Sequence, residues 1–117
     1  MILQEIKNKL KEINDMVFYG AAKDVVKQQK NWDYIVFDRK NMTINPNKTG
    51  YSYYYSVHII CEEFIPEGLE ELVINKMQEI KGMRVAGDSG EYDYSFKPGT
   101  DTIVEMFTID FVKAKKV

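Results

Sequence analysis

Hydrophobic positions recur along the chain with two periods, and the longest regular stretch is Tyr51 to Glu62, YSYYYSVHIICE. Its odd positions, Tyr51, Tyr53, Tyr55, Val57, Ile59 and Cys61, are all apolar or aromatic. Its even positions, Ser52, Tyr54, Ser56, His58, Ile60 and Glu62, are mixed. A period of two with one apolar side describes a long strand with one face on a core. Its β-branched and aromatic residues suit a pleated, half-buried surface.

The remaining segments are placed by how they would cover that strand. In Met1 to Asp15, Ile2, Leu3, Ile6, Leu10 and Ile13 fall three and four apart, the stripe of a helix lying on a sheet. Met16 to Ala22 is short and apolar and ends near Gly20, which predicts a short edge strand. The polar stretch KDVVKQQKN, residues 23–31, fits either a turn with a short helix or an extended connection.

Trp32 to Arg39 reads as a strand with both faces covered in its middle. Residues 40–50, KNMTINPNKTG, are rich in turn formers and long for a hairpin connection. Two outcomes are open: the flanking strands continue into this stretch as a ribbon, or it is a mobile arm. Phe64 to Gly82 reads as the second helix, with Pro66 near its start and Gly82 past its end. Its apolar stripe is expected to run through Leu69, Leu72, Val73, Lys76, Met77 and Ile80. A glycine-bearing loop at 83–89 follows, then strands at Glu91 to Lys97 and Thr102 to Lys113. The basic tail, 113–117, is expected to fray. The order α-β-β-β-α-β-β predicts one α+β domain over residues 1–117. A single antiparallel or mixed sheet would carry both helices on one face.

Composition narrows the picture without adding chemistry. The chain has 117 residues, 44% apolar and 29% charged, with a formal net charge of -2, which disfavours a dedicated nucleic-acid binder. One cysteine excludes a disulfide framework and fits a reducing compartment. No run approaches the roughly 20 apolar residues of a membrane span, and the N-terminus lacks a signal-peptide core. The expectation is a soluble product made in the cytoplasm, with no membrane partner.

His58 is the one histidine, and its ordinary pKa suits a general base. No nucleophile is tied to it by a local motif, and Cys61 projects from the opposite face of the same strand, so a structural role weighs more. That same separation rules against a zinc set, and the acidic loop Asp88, Glu91, Asp93 and Asp101 lacks calcium-loop spacing. No glycine-rich phosphate loop is present. No cofactor, metal or catalytic residue is expected. The tyrosines remain: Tyr51, Tyr53, Tyr54 and Tyr55 in one strand, Tyr92 and Tyr94 in another. Core packing explains the odd-position set best, an assembly interface comes second, and base stacking third.

Read together, the amphipathic N-terminal helix, WDYIVFDR, the polar loop, YYYSVHIICEE, PEGLEELVINKMQEI and VEMFTIDFVKAKK resemble the tail-terminator proteins of tailed bacteriophages and phage-tail-like particles. Neighbouring head-tail joining proteins share the pattern. The resemblance implies a non-catalytic virion protein. It would form a ring, commonly a hexamer, that caps the tail tube, ends its polymerisation and receives the head connector. The implied partners are copies of itself, the tail-tube protein and the connector, with DNA passing through the ring without specific binding. Arg39, Lys40, Lys48, Tyr54, Ser56 and His58, in or beside the long loop and on the less apolar strand face, are the expected contact residues. The competing class is a small cytoplasmic ligand-binding or enzymatic domain using His58.

Overall fold

The computed structural model describes residues 1–23, 31–47 and 49–116. Eight elements follow in order: α1 (Ile2–Lys11), β1 (Val17–Tyr19), β2 (Asp33–Ile44), β3 (Gly50–Glu62), α2 (Leu69–Gln78), β4 (Met83–Val85), β5 (Glu91–Phe96) and β6 (Ile103–Lys116). The six strands form one mixed sheet in the order β1-β2-β3-β6-β4, with β5 also on β6. Only β1 runs parallel to its neighbour, with Val17 opposite Ile35; every other pairing is antiparallel. The fold is α+β, with the organising strand β3 at its centre.

Register explains the two faces. Ile59 lies opposite both Ile35 and Phe107, and Val57 opposite both Phe37 and Ile109. These side chains share one face with Ile6 and Leu10 of α1 and with Val73 and Met77 of α2, in one buried cluster. Burying each large side chain contributes about 1.5–3 kcal/mol, so this helix-covered face holds most of the hydrophobic stabilisation. Lys9 to Glu79 (2.8 Å) and Lys76 to Glu12 (3.0 Å) tie the two helices across their exposed flanks. Lys113 Nζ donates to the Lys81 carbonyl (2.6 Å), placing a cation just beyond the end of α2, where the helix dipole favours it.

Several boundaries differ from the sequence pattern. The 40–50 stretch takes the ribbon alternative: β2 runs to Ile44, and the turn closes with Asn45 N–H donating to the Gly50 carbonyl. A bulge between Arg39 and Asn41 adds Lys40 to β2, so that Met42 and Ile44 return to the helix-side face opposite Tyr53 and Tyr51. The basic tail is not frayed through residue 116, since Ala114, Lys115 and Lys116 pair with Ser52, Tyr51 and Gly50. Residues 83–85, expected in a loop, form β4.

Helix α2 begins at Leu69, because Pro66 to Gly68 form a turn closed by Leu69 N–H on the Pro66 carbonyl, with Gly68 at φ 90°. Leu72, placed in the apolar stripe, is 43% exposed, and Ile74 packs against the core instead. The expected edge strand is present as β1. The alternatives for KDVVKQQKN fall mainly on residues 24–30, outside the described residues. The chain is elongated, 51 × 25 × 24 Å, because the far ends of β2, β3 and β6 project as a three-stranded ribbon.

Candidate functional site

Three surfaces merit attention: the open sheet face, a groove beside the ribbon, and the strand edges. The open face carries the even residues of β3. Near one end, Val36, Ile60 and Val104 are buried in a small cluster with Phe18, Trp32, Tyr34 and Met106 packed against it. Lys97 binds the Glu62 carboxylate and lies 5.5 Å from the centre of the Trp32 ring. The backbone N–H of Trp32 also donates to Glu62, and the bonds from Lys97 and this amide hold the Glu62 carboxyl below its ordinary pKa.

Toward the middle of the same face the register lines up polar side chains. Val36, His58 and Thr108 share one row, and Asp38, Ser56 and Asp110 the next. His58 Nδ1 is 2.8 Å from Thr108 Oγ1, and Nε2 is 3.0 Å from Asp38 Oδ2. A neutral ring with its proton on Nε2 satisfies both, donating to Asp38 and accepting from Thr108. Ser56 Oγ donates to Asp110 Oδ1 (2.7 Å), and Lys40 Nζ meets Asp110 Oδ2 (2.5 Å). Burial works against ionisation of Asp110, but the bonds from Lys40 and Ser56 outweigh it and lower its pKa.

Hydroxyl, imidazole and carboxylate in hydrogen-bond contact have the composition of a nucleophilic triad. Such a group also needs donors aimed at a developing oxyanion. Here His58 and Thr108 lie directly opposite each other in the middle of a continuous antiparallel ladder, where backbone amides serve the strands. The arrangement is suited to fastening β2, β3 and β6 together across an otherwise open face.

The groove lies on the helix side, where the N-terminal end of α1 stops over the root of the ribbon. Ile2, Glu5, Arg39, Met42, Tyr53, Tyr55, Lys113 and Lys115 are among its walls, and its volume is about 770 Å³. Lys40 and Tyr54 also border it, so four cations and three tyrosines around one carboxylate give it a basic, aromatic character.

The expected contact residues are thus divided. Lys40, Ser56 and His58 meet on the open face, with Tyr54 beside them, half-buried opposite Val112. Ser56 is buried, so it supports this surface from beneath. Arg39 points to the other face and lines the groove. Lys48 lies outside the described residues. Asp38, Thr108 and Asp110 complete the network and went unrecognised in the sequence; their signal was strand parity, which acts only once the register is known. Cys61 is buried, with burial foremost and Asp33 next in raising its thiol pKa to about 12, so it is no thiolate nucleophile. Among the described residues no group of three or more histidine, cysteine or acidic side chains is placed to hold a metal, and no helix is long and apolar enough to cross a membrane.

The edges are the third surface. Among the described residues, β1 pairs with β2 only at Ile35 to Phe37, and no strand flanks the ribbon half of β2. At the opposite edge, β5 is paired on β6 alone and every one of its residues is exposed. No protein-family model matches the chain, and no curated protein matches its sequence.

Proposed function

We propose that this chain is a ring-forming structural protein of a tailed-phage or phage-tail-like particle. It would cap the tail tube, end its polymerisation and meet the head connector, acting without catalysis or cofactor. The reading rests on the likeness of its element order and residue pattern to tail terminators. The observation that carries it is the projecting ribbon: a sheet end dressed with tyrosines and cations, extending past the helices that cover the rest. Such a surface offers interface chemistry, since tyrosine and arginine are enriched where proteins meet. A ring of heterologous contacts would use surfaces at two different places on each subunit.

The test is electron microscopy of particles made without this protein. Abnormally long or headless tails are expected, and normal tails joined to heads would refute the proposal. A second reading is favoured by one observation, the hydrogen-bonded Asp38, His58 and Thr108. On that reading the protein is a small enzyme, absent from purified particles, and His58→Ala abolishes its activity. Mass spectrometry of purified particles separates the two.

A further inference from the structure

We infer that copies of this chain associate head to tail, with Phe64 of one copy, flanked by Glu63 and Glu67, seated in the basic aromatic groove of the next. This contact rests on the ring reading for the number of copies that close, and on two surfaces of the chain for its chemistry.

The first surface is the turn that leaves β3. Glu63 holds a left-handed conformation, φ 68°, which residues other than glycine rarely adopt. Its amide donates to the Ile103 carbonyl (2.7 Å), and the Phe64 amide donates back to the Glu62 carbonyl (2.8 Å). On the other side, the Ile65 amide binds Glu105 (2.7 Å) and the Ile65 side chain is buried. Phe64 therefore stands between two anchored neighbours, yet its ring is 66% exposed. A ring presented on a backbone already fixed loses little freedom when it is covered. Glu63 and Glu67 are exposed on either side of it in the chain, and among the described residues neither forms an ion pair. Neighbouring carboxylates differ: Glu62 is held by Lys97, and Glu105 by Tyr94 and the Ile65 amide.

The second surface is the groove beside the ribbon. Tyr53 and Tyr55 share the helix-side face with Lys113 and Arg39, their cross-strand partners, and Lys115 follows opposite Tyr51. Among the described residues Arg39 and Lys115 have no ion pair, and Lys113 is bonded to a neutral carbonyl. Lys40, by contrast, is neutralised by Asp110 on the open face. The groove thus keeps an excess of positive charge over apolar walls that include Ile2 and Met42. Tyrosine rings and a thioether receive a phenyl ring favourably, and a guanidinium binds carboxylate in a forked pair. The volume of about 770 Å³ falls in the roughly 300–1,000 Å³ range of ligand pockets, ample for one ring and its flanking backbone.

Charge and distance together select a second copy. Groove against groove opposes cation to cation, and turn against turn opposes acid to acid, so only the mixed contact is complementary. The stretch of β3 from Tyr55 to Glu62, at about 3.3 Å per residue, spans about 23 Å. Phe64 lies beyond its far end and cannot reach the groove of its own chain. Each copy therefore offers one turn and one groove at opposite ends of a long strand, the layout of a heterologous contact.

The experiment is a charge swap on the full chain, read by light scattering and native mass spectrometry from micromolar to millimolar concentration. The unaltered protein is expected to assemble. Phe64→Ala, Glu63→Lys with Glu67→Lys, and Arg39→Glu with Lys115→Glu should each weaken assembly by at least about tenfold. An equimolar mixture of the two charge variants should restore it, because each then presents the complement of the other. An unaltered protein that stays monomeric leaves the groove to a foreign acidic partner and overturns the inference. So does any of the three variants assembling alone as the unaltered protein does, or a folded charge pair whose mixture stays monomeric. Should a charge variant fail to fold, zero-length carbodiimide cross-linking of the unaltered assembly decides. A bridge from Lys115 to Glu63 or Glu67, too far apart to form within one chain, is expected, and its absence overturns the contact. A swap-dependent assembly in a protein absent from particles would keep this contact and remove the tail reading. A ring from particles that ignores the swap would do the reverse.

Discussion

Asp110 joins three strands through side chains: its own, β3 through Ser56, and β2 through Lys40. Its pKa lies below the ordinary 3.8 in the folded chain, although burial alone would raise it. A depressed carboxylate contributes stability above its unfolded pKa and loses that contribution as pH falls through the folded value. Lys40→Met should therefore lower stability near neutrality, by the small amount that a solvent-screened pair supplies. The difference from the unaltered protein should shrink once the pH drops below Asp110's folded pKa. Urea unfolding at neutral and acid pH measures both.

Cys61 supplies a second test at this scale, since burial and Asp33 raise its thiol to about 12. A thiol reagent at mildly alkaline pH should leave the folded protein unlabelled and react promptly in urea. Alternation alone assigned Cys61 to the covered face and Ser56 and His58 to the open one. It did not reveal their partners. Asp38, Thr108 and Asp110 are 20, 50 and 54 residues distant from the groups they bind, and only cross-strand register connects them.

Among the elements, the outer position beside β6 shows most clearly what local pattern misses. Strand β4 pairs at Phe111 to Lys113 and β5 at Ile103 to Thr108, so the edge is one interrupted strand with residues 86–90 looped out between. Three residues beside Gly82 and Gly87 carry no strand signal of their own; the length of β6 recruits them. The same length draws in residues 114–116, whose charge reads as a solvated tail. Helix α2 starts late because Gly68 holds a left-handed conformation just before it.

Gly90 is set by packing of another kind, as a β-carbon there would run into the Phe107 ring. Gly90→Ala should cost about 1–3 kcal/mol through overpacking. In a Phe107→Leu background, which clears the site, the same change should cost much less. A thermodynamic double-mutant cycle reads the coupling.

Across the whole molecule, helix cover is uneven. α1 and α2 bury the sheet around Val57, Ile59 and Phe111, whereas Arg39 to Ile44 are exposed. Local stability follows buried apolar contact. Amide exchange should therefore be slowest in the middle of β3 and β6 and faster in Met42 to Ile44 and Tyr51 to Tyr53. Equal protection along β3 would contradict that gradient. An exchange map of the assembled protein would show the ribbon amides slowed if neighbouring copies cover them.

The central place of β3 also bears on the order of synthesis. One of its two neighbours, β2, precedes it in the chain, but the other is β6, residues 103–116. Until that segment has left the ribosome, the tyrosine-rich strand has a bare flank, and the covered face cannot close beneath the helices. Folding is thereby postponed until β6 has been synthesised, and a nascent chain stalled before residue 103 presents a sticky edge that chaperones would need to shield.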